Sequence, residues 1–237
     1  MSASANPQAQ PETVVRVDAV SRIYHVGEVD VKALDNVSLE VTKGTLVALK
    51  GRSGSGKTTL LNMIGGLDQP SHGDVLLYGQ AVSRMSNKQL TDLRRKRIGF
   101  VFQTFAIMPA FSAVENVELM LRIAGMFKGR RQRALQCLDI VGLRQWANHR
   151  PWEMSGGQQQ RVAIARALAT HPALILADEP TGELDSSNGR QILTLFRYIV
   201  EKEGVTVILA THDPMIEEYA HVVYELGDGQ VKNVHRP

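Results

Sequence analysis

The chain has one cysteine, Cys137, in 237 residues. Without a second thiol no internal disulfide framework can form, and such sparing use fits a reducing cytosol. No window approaches 18 consecutive apolar residues, so no membrane-spanning helix is expected; the best runs, such as Val207–Ala210, are strand-sized. The N-terminus lacks the basic and apolar regions of a signal or transit peptide, and residues 1–13, which open small, polar and Pro/Gln-rich, read as a disordered lead-in. No repeat of 20–50 residues occurs, which excludes solenoids and propellers. Neither sign of charge dominates. A net +3 is too weak to argue for a nucleic-acid partner.

What is there is a globular pattern. Residues alternate in strand fashion from Val14, and again over Val37–Val41, before a turn at Lys43-Gly44. Leu46–Leu49 is apolar on both faces, as a buried parallel strand requires. A glycine-rich loop follows, then a helical stretch from Lys57 to about Gly65 and a strand over Gly73–Gly79. Between Ser112 and Thr170 the apolar residues fall at helical spacing (Val114, Val117, Leu121; Leu135, Leu138, Val141). Strands return at Ala173–Ala177, Val205–Ala210 and Val222–Glu225, with a helix over about Gly189–Lys202. The pattern predicts an α/β nucleotide-binding core interrupted by a helical insertion, all within one domain over residues 14–237.

Gly51-Arg52-Ser53-Gly54-Ser55-Gly56-Lys57-Thr58 fits G-x-x-x-x-G-K-[ST] and lies between a buried strand and a helix, the context that gives it meaning. Gly51, Gly54 and Gly56 let the backbone curl so that N–H groups point at phosphate oxygens, helped by the helix dipole. Lys57 would reach the β- and γ-phosphates and the Thr58 hydroxyl would ligate Mg²⁺. Further on, the apolar strand Leu174–Ala177 ends in Asp178-Glu179. Asp178 would hold Mg²⁺ through water, and Glu179 would orient and deprotonate the attacking water. A guanine-nucleotide switch fits poorly, because no N-K-x-D motif follows.

Ser155-Gly156-Gly157-Gln158-Gln159-Gln160-Arg161 resembles the signature motif of ABC-type ATPases and lies between the phosphate loop and the acidic strand. Gln103 in Phe100-Val101-Phe102-Gln103 resembles the Q-loop, Glu183-Leu184-Asp185 the D-loop, and Thr211-His212-Asp213 the switch histidine. Tyr24 resembles the aromatic residue that stacks on adenine. The resemblance runs from about Val14 to Gln230 and implies the ABC ATPase fold. That fold is an α/β P-loop NTPase (RecA-like) core over 14–103 and 171–237, with an antiparallel β subdomain and a helical subdomain over 104–170.

It implies ATP and Mg²⁺ as cofactors, with Glu179, His212, Gln103 and Lys57 catalytic and Thr58, Gln103 and Asp178 around the metal. ATP contacts extend through Tyr24, Ser53, Ser55 and Thr59, and across a two-fold dimer through Ser155, Gly156, Gly157, Gln158 and Asp185 of the other copy. With one phosphate loop and one signature per chain, each ATP is sandwiched between two copies.

The stretches Leu61–Asp68, Glu115-Asn116-Val117 and Ala177–Asp185 narrow the resemblance to the macrolide-exporter and lipoprotein-release group. That group also holds bacitracin-resistance, haem-efflux and cell-division ATPases. Met154 and Glu183 stand where Leu and Asn are common. The implied partner is an integral membrane permease on a separate chain, which places this one at the cytoplasmic face of the membrane. Work of this kind is export or extraction of a lipophilic substrate, drug, peptide, haem or lipoprotein. The alternative is regulatory gating of a cell-wall hydrolase through the permease. Chromosome-maintenance ATPases are excluded, since no heptad run separates Lys57 from Ser155. The apolar segment Thr104–Phe111 is the expected permease docking site. The basic runs Arg94–Arg97 and Lys128–Arg133 read as solvated helix ends, with permease or lipid-headgroup contact as the alternative.

Overall fold

In the computed structural model, which describes residues 12–237, the early alternation becomes one long hairpin. Strand β1 (Thr13–Val26) pairs antiparallel with β2 (Val29–Thr42). The expected lead-in lies outside the described residues except at its end. Glu12 and Thr13 are ordered, because Lys43 binds the Glu12 carbonyl through its N–H and the Glu12 carboxylate through Nζ, both at 2.8 Å.

Strand β3 (Leu46–Lys50) feeds the glycine-rich loop and α1 (Lys57–Ile64). Next come β4 (His72–Leu77), β5 (Gln80–Ala81), α2 (Asn87–Lys96) and β6 (Ile98–Val101). Three helices follow, α3 (Ala113–Ile123), α4 (Arg130–Ile140) and α5 (Gly156–Leu168). The chain then runs through β7 (Leu174–Asp178), α6 (Ser186–Glu203) and β8 (Thr206–Thr211) to a final hairpin of β9 (Val222–Gly227) and β10 (Gln230–His235).

The strands form two sheets, ordered β2-β1-β4-β5 and β10-β9-β3-β8-β7-β6. In the second, β9, β3, β8, β7 and β6 run parallel and only β10 is antiparallel. Its central strands read LVALK, LILAD and TVILAT, apolar at nearly every position because both faces are covered. The period of two divides them. Leu46, Ala48, Ile175, Ala177, Val207 and Leu209 join the core shared with α3–α6. Val47, Leu49, Leu174, Leu176, Ile208 and Ala210 face α1 and the antiparallel sheet.

Local capping fixes where the helices start. Ser112 with Glu115 and Ser155 with Gln158 form reciprocal capping boxes on α3 and α5. The Asp185 carboxylate accepts from the Ser187 and Asn188 N–H groups at the start of α6. The parallel strands therefore end together, and three loops (after β3, β7 and β8) meet at one edge of the sheet, where open α/β folds bind ligands.

Candidate active site

The loop after β3 closes around its own lysine. Lys57 Nζ donates to the carbonyls of Gly51 (2.8 Å) and Arg52 (3.1 Å) and is only 5% exposed. Gly56, which precedes α1, has φ +99°, and a Cβ there would stand 2.7 Å from the Ala33 carbonyl and from Leu34 Cδ2. The position thus excludes a side chain on both conformational and steric grounds. Gly51 serves differently from the expectation. Its N–H is taken by the Thr211 carbonyl at 3.2 Å, so it anchors the loop and holds Lys57 instead of facing the cleft.

The acidic pair sits opposite. Thr58 Oγ1 donates to Asp178 Oδ1 at 3.1 Å. Burial pushes the Asp178 carboxyl above its ordinary value and the neighbouring Glu179 charge adds to this, while the Thr58 hydroxyl and Lys57 oppose it. Glu179 adopts φ +46°, unusual for a residue with a side chain, and its N–H donates to the Ala210 carbonyl at 2.9 Å. This left-handed turn aims its carboxylate between Lys57 Nζ (3.5 Å) and His212 Nδ1 (3.0 Å). Strain concentrated at the end of β7 therefore brings a carboxylate, an ammonium and an imidazole together.

These groups line a cleft of about 540 Å³, formed by residues 53–59, Gln103, Asp178, Glu179 and His212 together with Val31–Ala33 of β2. The structure brings Ser53, Gly54, Ser55, Gly56, Lys57, Thr58, Thr59 and Gln103 together on this one cavity. Ser55 Oγ is buried there with no hydrogen-bond partner among the described residues, which suits a site whose acceptor is a ligand. The Gln103 side chain packs near Gly182, where a Cβ would approach Nε2 to 3.1 Å.

For a cation the fit is that of a shared site. Thr58 Oγ1 and Asp178 Oδ1 are hard oxygen donors 3.1 Å apart. No cluster of three His, Cys, Asp or Glu side chains exists among the described residues to make a protein-only cage. Such a donor set suits Mg²⁺, which takes one or two protein oxygens and fills the rest with water and phosphate.

The cleft's third wall escaped sequence reading. Val31–Ala33 belong to β2, and the register pairs Tyr24 with Val31. Tyr24 does not line the cleft but stands one strand away at its rim. Its hydroxyl donates to Asp68 Oδ2 at 2.7 Å, and the Arg22 guanidinium covers its ring at 4.5 Å from the centroid. Arg22 in turn pairs with Asp68 at 2.8 Å. No motif linked Asp68 to Tyr24.

The signature residues are elsewhere. Ser155, Gly156, Gly157, Gln158 and Asp185 lie outside the cleft of their own chain. Instead the signature packs on the start of α6, where a Cβ on Gly157 would meet Asn188 Oδ1 at 2.8 Å and one on Gly156 would touch Leu184 and Phe105. One side chain ties them to the acidic loop: Gln160 of α5, fully buried, donates from Nε2 to the Pro180 carbonyl at 2.7 Å.

A second concavity, of about 430 Å³ and mostly apolar, runs between β6 and α3. Phe100, Phe102, Ala106, Met120 and Ile123 line it, and Arg94, Arg95 and Arg166 stand at its polar margin. Only Ala106 of the expected docking segment Thr104–Phe111 contributes. Phe105 and Ala106 both have positive φ (52° and 50°), which turns Phe105 under Gly156, and Arg166 holds the turn by donating to both carbonyls. The first basic run lies at the end of α2, where Arg94 donates to the Gly66 carbonyl at 2.6 Å.

A family model described as ABC transporter matches residues 34–182. The chain belongs to the ABC transporter family. An uncharacterized ABC transporter ATP-binding protein of Thermotoga maritima is 47% identical, covering 94% of this chain and 95% of that protein. A macrolide export ATP-binding/permease protein MacB of Syntrophobacter fumaroxidans is 45% identical over 92% of this chain, but the match spans only 31% of MacB. Among solved structures, the dimeric post-hydrolysis state of the cassette MJ0796, bound to ADP and Pi, superposes with a TM-score of 0.84 at 43% identity. It covers 94% of this chain and 98% of that one. MJ0796 is a protein of Methanocaldococcus jannaschii. Clostridium perfringens cbiO1, part of the ABC transporter complex cbiONQ, superposes at 0.86 with 27% identity, covering 95% of this chain and 89% of that one. The chain is thus an ABC ATPase cassette: an ATP-binding α/β P-loop core carrying an inserted helical lobe.

Proposed function

We propose that this cassette works as a two-fold dimer that closes on two Mg²⁺-ATP and drives a membrane permease from the cytoplasmic face. The observation that carries the dimer is the separation within one chain. The cleft gathers Lys57, Glu179 and His212, whereas Ser155–Gly157 at the N-terminal end of the signature helix lie outside it. A second copy related by a two-fold axis supplies that positive helix end to the γ-phosphate, and Asp185 lies at the same seam. The dimeric MJ0796 cassette supports this arrangement.

In this reading Lys57 exchanges the Gly51 and Arg52 carbonyls for β/γ-phosphate oxygens, and Ser55 Oγ gains its acceptor. Tyr24, braced by Asp68 and Arg22, offers its open ring face to the adenine. Glu179 orients and deprotonates the attacking water, and His212, hydrogen-bonded to it, contacts the γ-phosphate and registers its loss. Thr58 and Asp178, with Gln103 on the same cleft, would hold Mg²⁺, which when bound would supply positive charge to the phosphates.

The apolar groove between β6 and α3 is the permease contact. It is concave, lies directly before Gln103 in the chain, and joins the core to the helical lobe, so a helix seated there moves with dimer closure. The MacB relatives, which combine ATP-binding and permease in one protein, support a permease partner and work of the export or extraction type. Light scattering of Glu179→Gln with and without Mg²⁺-ATP tests the dimer. A nucleotide-dependent dimer is expected, and a monomer under saturating ATP would refute it.

A further inference from the structure

We propose that the turn between α3 and α4 is a membrane-surface contact that binds anionic phospholipid headgroups. Residues 122–133 contain five basic residues and no acidic one, although the whole chain carries only +3, so the remainder is net negative. Phe127, at 74%, is the most exposed large apolar side chain among the described residues, and Ile123 and Met126 beside it are 50% and 39% exposed. The Arg130 guanidinium lies 5.8 Å from the Phe127 ring centroid. Among the described residues neither Lys128 nor Arg130 has an ion-pair partner, and Arg122 and Arg131 share one acid, Glu118, each at 3.9 Å. Arg133 alone turns inward, to the Leu168 and Ala169 carbonyls.

This arrangement is locally unfavourable for the isolated fold. Arg130, Arg131 and Arg133 crowd the start of α4, with no acid in its first turn, where the helix dipole opposes cations. An exposed aromatic beside a guanidinium, in a basic turn, is the chemistry of an interfacial anchor. The apolar tip enters the acyl boundary while Lys and Arg hold phosphate groups. Location agrees, because Ile123 also lines the apolar groove, so the turn continues the face assigned to the permease. Only the orientation relative to the permease rests on that assignment; lipid binding by the cassette itself does not.

The test is sedimentation of the purified chain with vesicles of phosphatidylcholine containing about 30 mol% phosphatidylglycerol, against pure phosphatidylcholine, at about 0.1 M salt. Binding is expected to the anionic vesicles only and to vanish at high salt. The double variant Lys128→Gln/Arg130→Gln should bind roughly 25-fold more weakly, about fivefold per charge removed. Phe127→Ser should also weaken binding, and basal ATP hydrolysis should stay at wild-type rate in both variants. Equal binding to neutral and anionic vesicles, no binding at all, or wild-type binding by the double variant would each overturn the proposal. So would variants that bind vesicles normally yet lose stimulation by a detergent-purified permease, since the partner would then be an acidic protein segment. Anionic-selective binding supports it whether or not groove variants alter permease stimulation.

Discussion

Glu179→Gln removes one charge while keeping the side chain's shape, and three consequences can be worked from its surroundings. The carboxylate, 16% exposed, sits 3.5 Å from Lys57 Nζ and 3.0 Å from His212 Nδ1. At an effective dielectric of about 20 the gross attraction to Lys57 is about 4–5 kcal/mol. Desolvation cancels much of this, and Lys57 keeps its bonds to the Gly51 and Arg52 carbonyls. The net destabilisation without nucleotide should therefore be about 1–3 kcal/mol, a fall of a few degrees in Tm for a domain this size. With ATP the sign reverses, because Lys57 then faces phosphate and a carboxylate beside the γ-phosphate is repelled. The variant should bind ATP more tightly than wild type and gain more in Tm on adding it. Turnover should fall about 10²–10⁴-fold, the usual weight of a positioned base. Single-turnover phosphate release and thermal melts with and without Mg²⁺-ATP read all three. Phosphate release within a few-fold of wild type would refute the role given to Glu179.

Lys57→Ala should abolish measurable hydrolysis, read by phosphate release. Tyr24→Ala should weaken ATP binding by about 0.5–1.5 kcal/mol in calorimetry, and Asp68→Asn by less, since it only frees the ring to move. Met120→Asp, which places a charge in the apolar groove, should cut permease-stimulated hydrolysis while basal hydrolysis stays within a few-fold; unchanged stimulation would place the contact elsewhere. His221 gives a pH test. Its Nδ1 accepts from the Leu46 N–H at 2.9 Å, and burial, with Arg197 adding, lowers its pKa below the ordinary histidine value. The fold favours the neutral ring, so this stability is present above the ordinary histidine pKa and is lost as pH falls from there through the lower folded value. Melting temperatures between pH 7.5 and 5.5 should drop less for His221→Asn than for wild type, by an amount carried in this acidic window.

The motifs were readable because each is a contiguous string whose residue types answer one local demand: glycine at Gly56 for a positive φ, an apolar run ending in carboxylates at β7. The central strands were readable for the same reason, being apolar at almost every position. Helix α2 was legible only at its basic end, Arg94–Arg97; its start was not, since only Leu90 of it is buried. The cleft wall at Val31–Ala33 escaped notice because it reaches the phosphate loop through sheet pairing and not through sequence proximity. Asp68 under Tyr24 and Gln160 under Pro180 are side chains whose partners lie 44 and 20 residues away. The local shape of the expected docking segment was not legible either. Thr104–Phe111 looks continuous as a string, but two successive left-handed residues at Phe105 and Ala106 fold the aromatic ring beneath the signature. The groove is then built by Phe100, Phe102 and α3, residues that alternate between core and surface.

The central claim is that a working site needs the phosphate loop of one copy and the signature of another. Mixing two inactive variants, Lys57→Ala and Ser155→Arg, tests it most directly. In a mixed dimer the intact loop of the Ser155→Arg chain faces the intact signature of the Lys57→Ala chain. Phosphate release should therefore reappear, up to about a quarter of the wild-type rate at equal concentrations. A mixture no more active than its separate components would contradict the claim.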